Sequence, residues 1–204
     1  DVVLKNTTIT GNLLLAQGIG DGDVTLKNVT VKGETTIKGG GSNSITFEDC
    51  TIPRIVVSKE GVRVVASGTT TVNVVQLDSG ATLVEVNAVG PGFENVTISQ
   101  VVPAESKIAL EGDFNDVTVA AAVNIEVAAG GNVNNLTVEA AAKVSGEGTI
   151  GTAKINVDGA NIAQTPAKTE VADGVKTTIG GKVVEGSPAP APIGGGGGGG
   201  GGTT

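Results

Sequence analysis

The hydrophobic and polar positions of this chain follow a short phrase that returns about every 20 residues. Clear copies read LKNTTI (4–9), LKNVTV (26–31), FEDCTI (47–52), FENVTI (93–98), FNDVTV (114–119) and VNNLTV (133–138), with weaker copies SGTTTV (67–72) and IGTAKI (150–155). The third residues of successive copies are separated by 22, 21, 20, 26, 21, 19 and 17 positions. Periods near 20 with this scatter are typical of a solenoid.

Each copy alternates apolar and polar residues, as a half-buried strand does. Three places after the third residue, every copy has a β-branched aliphatic side chain: Ile9, Val31, Ile52, Val72, Ile98, Val119, Val138 and Ile155. We expect these eight residues to stack as one inward column. A further short strand follows at 13–15, 35–37, 55–57 and 74–77, and Gly-rich loops return the chain to the next coil. The long interval of 26 predicts an insertion at 87–92.

These features predict an all-β fold, a single-stranded right-handed parallel β-helix of about eight coils with about 20 residues per coil. Three short strands per coil and a variable coil length favour the right-handed form, because left-handed β-helices keep strict six-residue units. Val, Ile and Thr, which dominate the repeats, fit the pleated surface of a sheet. The sequence therefore indicates the fold class directly.

The third residue of the phrase is Asn or Asp in six of the eight copies. We predict that these residues form a structural ladder, each side chain bonded to the next: Asn6, Asn28, Asp49, Asn95, Asp116 and Asn135. Asn and Asp tolerate left-handed backbone geometry and bond neighbouring amides, which suits a corner between two strands.

The pattern divides the chain into three segments. Residues 1–162 are the predicted coils, and residues 163–186, which break the repeat, are predicted cap strands that cover the open end of the solenoid. Residues 187–204, SPAPAPIGGGGGGGGGTT, combine stiff Pro-Ala repeats with flexible poly-Gly and predict a linker to further domains of the same polypeptide. The first coil has no matching cap, and we expect more chain before it in the full protein.

Charge narrows the range of partners. The formal net charge is −8, from 21 acidic and 13 basic residues. A chain this acidic repels nucleic acid and anionic membranes, and no run of 18 apolar residues predicts a membrane span. We therefore expect neither a nucleic-acid partner nor membrane insertion. The single Cys50 excludes an internal disulfide, and its apolar neighbours predict a buried thiol.

The LKNVTV phrase, the GGGSNSI loop at 39–45 and the Gly-rich linker resemble the β-helical segments of large surface proteins of Gram-positive bacteria, which carry S-layer homology modules. The fold is also similar, more distantly, to that of pectate lyases. The resemblance implies an extracellular protein at the cell wall or S-layer, with a structural or adhesin role. It implies no catalytic residues here, because neither a lyase nor a polygalacturonase motif is present.

Candidate catalytic groups are sparse. The chain has no His and two Arg, Arg54 and Arg63, and its nearest carboxylate groupings are Glu48 with Asp49 and Asp113 with Asp116. Sugar-binding surfaces usually stack aromatic rings on the sugar, but this chain has three Phe and no Trp or Tyr. The sequence therefore predicts a non-catalytic structural or adhesin module that requires no cofactor.

One loop supports an alternative function. Gly18–Asp23 reads GIGDGD and places Asp21 and Asp23 in a Gly-rich loop, as the oxygen ligands of a Ca²⁺ site are often placed. The alternative is accordingly a Ca²⁺-dependent binder, or residual lyase, of acidic polysaccharide from the cell wall or the extracellular space. The ordinary interpretation of the same loop is a solvated turn.

Overall fold

The alternating segments form short strands that pair in parallel from coil to coil. The structure is a computed structural model that describes residues 2–42 and 45–188, and these form a parallel β-solenoid of about nine turns with roughly 20 residues per turn. The predicted parallel β-helix is confirmed. The strands are β1 (Val2–Ile9), β2 (Leu13–Leu15), β3 (Val24–Val31), β4 (Glu34–Ile37), β5 (Ile45–Glu48), β6 (Thr51–Val57), β7 (Val62–Gly68), β8 (Thr71–Leu77), β9 (Ala81–Ala88), β10 (Gly92–Ile98), β11 (Lys107–Glu111), β12 (Asp113–Val119), β13 (Asn124–Val127), β14 (Asn132–Val138), β15 (Lys143–Gly146), β16 (Thr149–Ile155), β17 (Asn161–Ile162), β18 (Lys168–Val171), β19 (Lys176–Ile179) and β20 (Lys182–Glu185).

Each coil has three faces. The first face stacks the beginnings of β1 and β3 on β5, β7, β9, β11, β13, β15, β17 and β19. The second face stacks the ends of β1 and β3 on the first residues of β6, β8, β10, β12, β14 and β16. The third face stacks β2 and β4 on the later residues of those six strands and on β18. A first corner joins the first face to the second, a second corner joins the second to the third, and a third corner returns the chain to the first face.

The predicted inward column of eight β-branched residues is wrong in its second half. Val72 pairs with Phe93 on the second face, whereas Ile98 pairs with Leu77 on the third. The second-face column is Ile9, Val31, Ile52, Val72, Phe93, Phe114, Val133 and Ile150, and the third-face column is Leu15, Ile37, Val57, Leu77, Ile98, Val119, Val138, Ile155 and Val171. The reason is that the phrase fits any corner between two strands, and from residue 93 onward it has moved from the first corner to the second.

This change of corner also corrects the predicted insertion at 87–92. Along the third-face column the successive intervals are 22, 20, 20, 21, 21, 19, 17 and 16 residues, with no long coil. The interval of 26 between Thr69 and Asn95 arises because Thr69 stands at the first corner and Asn95 at the second. The coils shorten steadily toward the C-terminal end.

The predicted Asn and Asp ladder is therefore divided between two corners. At the first corner, Asn28 Nδ2 donates to Asn6 Oδ1 at 2.9 Å, and Asp49 Oδ1 accepts from the Thr69 amide at 2.9 Å. At the second corner, Asn135 Nδ2 donates to Asp116 Oδ1 at 3.0 Å, and Asn95 Nδ2 donates to the Asn73 carbonyl at 2.9 Å. Only the first-corner members, Asn6, Asn28 and Asp49, have the left-handed backbone predicted for all six, with φ between 52° and 54°.

The core is a continuous stack of aliphatic side chains with a small aromatic element. The rings of Phe93 and Phe114 stack with centroids 6.3 Å apart and an interplanar angle of 8°. Cys50 is fully buried, and burial raises the pKa of its thiol. Its Sγ lies 3.4 Å from the Leu26 carbonyl oxygen, so the thiol occupies a core position as predicted.

Residues 163–186 continue the helix before they end it. β18 pairs in parallel with β16, and β19 pairs in parallel with β17. β20 then pairs antiparallel with β19, which is the first reversal of direction among the described strands. Of the predicted linker 187–204, residues 189–204 lie outside the described residues. No helix among the described residues is long and apolar enough to cross a membrane.

Candidate functional site

The predicted calcium ligands lie at the third corner, in the turn that follows the first coil. Asp21 is exposed, and its Oδ1 lies 3.4 Å from Lys59 Nζ, two coils further along the stack. Asp23 directly precedes β3. Within residues 2–42 and 45–188, no group of three or more His, Cys, Asp or Glu side chains is placed to hold a metal ion. Calcium binding at Asp21 and Asp23 stays a prediction.

The carboxylate groupings that the sequence singled out have structural partners. Glu48 forms a 2.5 Å ion pair with Lys27 in the coil before it. Asp49 accepts the Thr69 amide and hydroxyl, and these hydrogen bonds hold the pKa of Asp49 below its ordinary value. Asp116 accepts from Asn135 and from Asn115 at 2.8 Å. These contacts bind one coil to the next.

A carboxylate that the sequence analysis did not single out occupies an inward column. Glu85 pairs with Ala66 at the end of the column formed by Leu4, Leu26, Phe47 and Ala66. Its Oε1 accepts the backbone amide of Phe93 at 2.6 Å. Burial raises the pKa of Glu85 to about 7, even though hydrogen bonds from the Phe93 and Asp113 amides favour the charged form.

Two glycines make room for this side chain. A Cβ on Gly112, which lies over Glu85 in the next coil, would come within 2.6 Å of the Glu85 Cβ. A Cβ on Gly92 would come within 2.2 Å of Oε1. Both glycines have positive φ, 129° and 66°, at the first corner. Because no side chain continues the column above Glu85, its carboxylate reaches across the corner to the second-face amides.

Glu85 borders two adjacent depressions on the outside of the first face, which we call the first-face groove. The first has a volume of about 360 Å³ and is lined by Thr82, Lys107, Ile108, Ala109, Asn124, Ile125, Glu126 and Ser145. The second, of about 370 Å³, is lined by Arg63, Val84, Glu85, Val86, Glu111, Gly112 and residues 128–131. Both depressions use β11, and the outward residues Arg63, Thr82, Ala109, Glu126 and Ser145 stand in register across five coils.

The groove presents hydrogen-bonding groups with a balanced charge. Its cations are Arg63 and Lys107, and its exposed or half-buried carboxylates are Glu111 and Glu126. Thr82, Asn124 and Ser145 add neutral groups. Such a surface can donate and accept hydrogen bonds along an extended polar chain, and it has no aromatic platform.

The sequence contained a weak signal for this site. Glu85 interrupts the run Leu83-Val84-Glu85-Val86, where a strand with one buried face is not expected to carry a charge on its inward side. The phrase alignment hid it, because that alignment set Ser67 rather than Ala66 in the column of Leu4, Leu26 and Phe47. The pairing of β7 with β9 reveals the inward position.

Comparison with known proteins gives one solved structure. The chain resembles the crystal structure of chitinase ChiW from Paenibacillus sp. str. FPU-7, a bacterial cell-surface-expressed multi-modular enzyme, with 30% sequence identity and a TM-score of 0.51. The match covers 76% of this chain and 15% of that chain. This chain thus corresponds to a small part of that protein. No protein-family profile matches the chain. No curated protein sequence matches it.

Proposed function

We propose that this chain is a non-catalytic β-helical module of an extracellular, multi-modular surface protein, in which it spaces and orients neighbouring modules. The observation that carries the proposal is the match to 15% of a cell-surface-expressed multi-modular enzyme. A segment that is similar to so small a part of such an enzyme suits a supporting role beside other modules. Attachment to a Gram-positive wall through S-layer homology modules, and an adhesin role, belong to the same proposal.

The coil-to-coil contacts support this role. Polar residues that a catalytic site would use are instead bonded between coils, as in the Lys27–Glu48 ion pair and the Asp49–Thr69 hydrogen bonds. Nine coils at ~4.8 Å per strand spacing give a rod about 43 Å long. A rod stacked by regular backbone hydrogen bonds holds its two ends at a fixed distance, which a spacer requires.

The first-face groove favours a second candidate function, the binding of an extended polysaccharide. Its in-register residues run from Arg63 to Ser145, about 19 Å along the axis at the same strand spacing. Asp21 lies at the end of the first coil, about three coils below Arg63, and it already pairs with Lys59. Binding in the groove would therefore not need Ca²⁺ at the acidic loop.

One experiment tests both functions. The protein is incubated with soluble chito-oligosaccharides and with oligogalacturonates, with and without millimolar Ca²⁺, and heat of binding and product release are measured. A structural module releases no product from either sugar, and product release would contradict the first proposal.

Heat of binding that is lost in Arg63→Ala, but kept in Arg54→Ala, would support the groove. Arg54 is the matched control because it lies on the third face, where it pairs with Glu34 at 3.1 Å. Binding that requires Ca²⁺ and is lost in Asp21→Asn would instead assign the sugar site to the acidic loop.

A further inference from the structure

The first coil exposes core residues that are covered in every following coil. Val2 and Leu14 are 55% and 57% exposed. The inward-facing Leu4, Ile9 and Leu13 are only partly buried, whereas their partners in the second coil, Leu26, Val31 and Thr35, are 0–2% exposed. The difference between the coils is that one has a neighbour on both sides and the other has a neighbour on one side.

The same edge leaves backbone groups facing outward. Alternate peptide groups of a parallel strand point to opposite neighbours. β1 pairs with β3 on one side, and among the described residues no strand pairs with its other side. Half of the N–H and C=O groups of β1 are thus directed at the open end, as on any unprotected edge strand.

The side-chain hydrogen bonds at the corners have a uniform direction. Asn28 Nδ2 donates to Asn6 Oδ1, Asn95 Nδ2 donates to the Asn73 carbonyl, and Asn135 Nδ2 donates to Asp116 Oδ1. In each case the later coil donates and the earlier coil accepts. Asn6 follows the same rule: its oxygen is bonded by the coil above, and within the described residues its Nδ2 has no acceptor.

We propose that the edge formed by β1 and β2 is a docking surface for one more parallel β-coil, whose corner residue over Asn6 is an Asn or Asp that accepts a hydrogen bond from Asn6 Nδ2. The apolar side chains of that coil would cover Leu4, Ile9 and Leu13. The contact would repeat the interface that β1 and β3 already make through seven paired residues. This inference does not depend on the proposed function.

The hydrogen-bond direction disfavours a second copy of the chain as the occupant. A head-to-head pair related by a twofold axis would bring two Asn6 amide donors together and would make the facing strands antiparallel. A head-to-tail pair would meet β20, which runs antiparallel to β19 and ends the parallel stack on the first face. Neither arrangement supplies a parallel strand with an acceptor over Asn6.

The test places a second copy of residues 1–22 directly before Asp1. The new junction, Gly22 followed by Asp1, has the same residue types as the natural Gly22–Asp23 junction. Hydrogen exchange is then measured at the amides of β1 in the lengthened and the original protein. We expect the outward-facing amides of β1 to exchange at least about tenfold more slowly in the lengthened protein.

A matched variant carries Asn6→Ala in the added copy alone, which removes the acceptor but keeps the apolar cover, and we expect it to lose part of the protection. If the lengthened protein does not fold, a peptide of residues 1–22 added in trans to the original protein provides the same readout. Unchanged exchange at β1 in a folded lengthened protein, or in saturating peptide, would overturn the proposal. Sedimentation of the original protein as a dimer with β1 protected would overturn it in favour of a second copy.

Discussion

Glu85 is held at an inward position by a combination of burial and backbone hydrogen bonds. Its carboxylate lies over the Ala66 position of an apolar column, yet it accepts the Phe93 amide at 2.6 Å. Burial raises the pKa of Glu85 to about 7, compared with 4.5 for an ordinary Glu. The folded protein therefore binds this proton more tightly than the unfolded chain does, and the free energy of unfolding decreases as the pH rises from about 4.5 to about 7.

We predict that Glu85→Gln removes this pH dependence. Gln keeps the shape and one acceptor oxygen but cannot ionise. Between pH 4.5 and pH 8 the stability of the variant relative to the natural protein should increase by roughly 1 kcal/mol, or about 2–4 °C in Tm, after allowance for partial exposure. Thermal unfolding at a series of pH values measures the difference.

Glu147→Gln is the matched control, since Glu147 is an exposed carboxylate in the turn between β15 and β16. It should leave the relative stability unchanged across the same pH range. If Glu85→Gln and Glu147→Gln follow the same pH profile, Glu85 does not titrate in the core.

Some residue-level features could be predicted from the sequence, and Glu85 could not. Asp49 and Asn28 were recognisable as corner residues because their type suits a left-handed turn. The position of Glu85 depends on Gly112, 27 residues later, leaving the space above it empty. No local pattern contains that information, because it lies in the register between two coils.

At the level of the element, the turn from β11 to β12 is a single glycine. Gly112 has φ of 129°, and it lies against the backbone and Cβ of Glu85. In the next coil, Gly130 also has a positive φ, of 79°, but a Cβ there would meet nothing within 4 Å. The two positions therefore separate the cost of the backbone conformation from the cost of steric contact.

We predict that Gly112→Ala destabilises the protein by about 3 kcal/mol or more, whereas Gly130→Ala costs about 1–2 kcal/mol. The first variant combines a strained backbone with a 2.6 Å contact, and the second has the strained backbone alone. Urea denaturation of both variants measures the difference. Equal losses would mean that the coil over Glu85 shifts freely to admit a methyl group.

The sequence predicted the strands better than their places around the coil. The third strands at 13–15, 35–37, 55–57 and 74–77 coincide with β2, β4 and the ends of β6 and β8. The phrase FENVTI at 93–98 was assigned to the same corner as LKNVTV at 26–31, although it lies one corner further on. Alternation specifies which residues point inward, but it carries no information about which of three similar faces they point from.

For the whole molecule, the two ends of the stack differ. β1 leaves the first coil open, and β20 ends the last coil with an antiparallel strand whose backbone bonds are taken by β19. We predict that a chain ending at Gly180, which lacks β20, unfolds at a lower temperature and self-associates, because β19 then becomes a free edge. Thermal unfolding and analytical ultracentrifugation measure both effects.

A chain ending at Ser187 keeps β20 and is the control. It should remain as stable and as monodisperse as the full chain. If the chain ending at Gly180 behaves in the same way, β20 does not protect the end of the stack.

The direction of the strands also determines how the molecule responds to force. The coils are joined by hydrogen bonds that run along the long axis, so tension between the two ends pulls on the interface between neighbouring coils. Each coil of about 20 residues is ~4.8 Å tall when folded but about 70 Å long when extended. A module stretched between two anchored partners would therefore yield one coil at a time, and each release would lengthen the tether by more than the height of the whole folded stack.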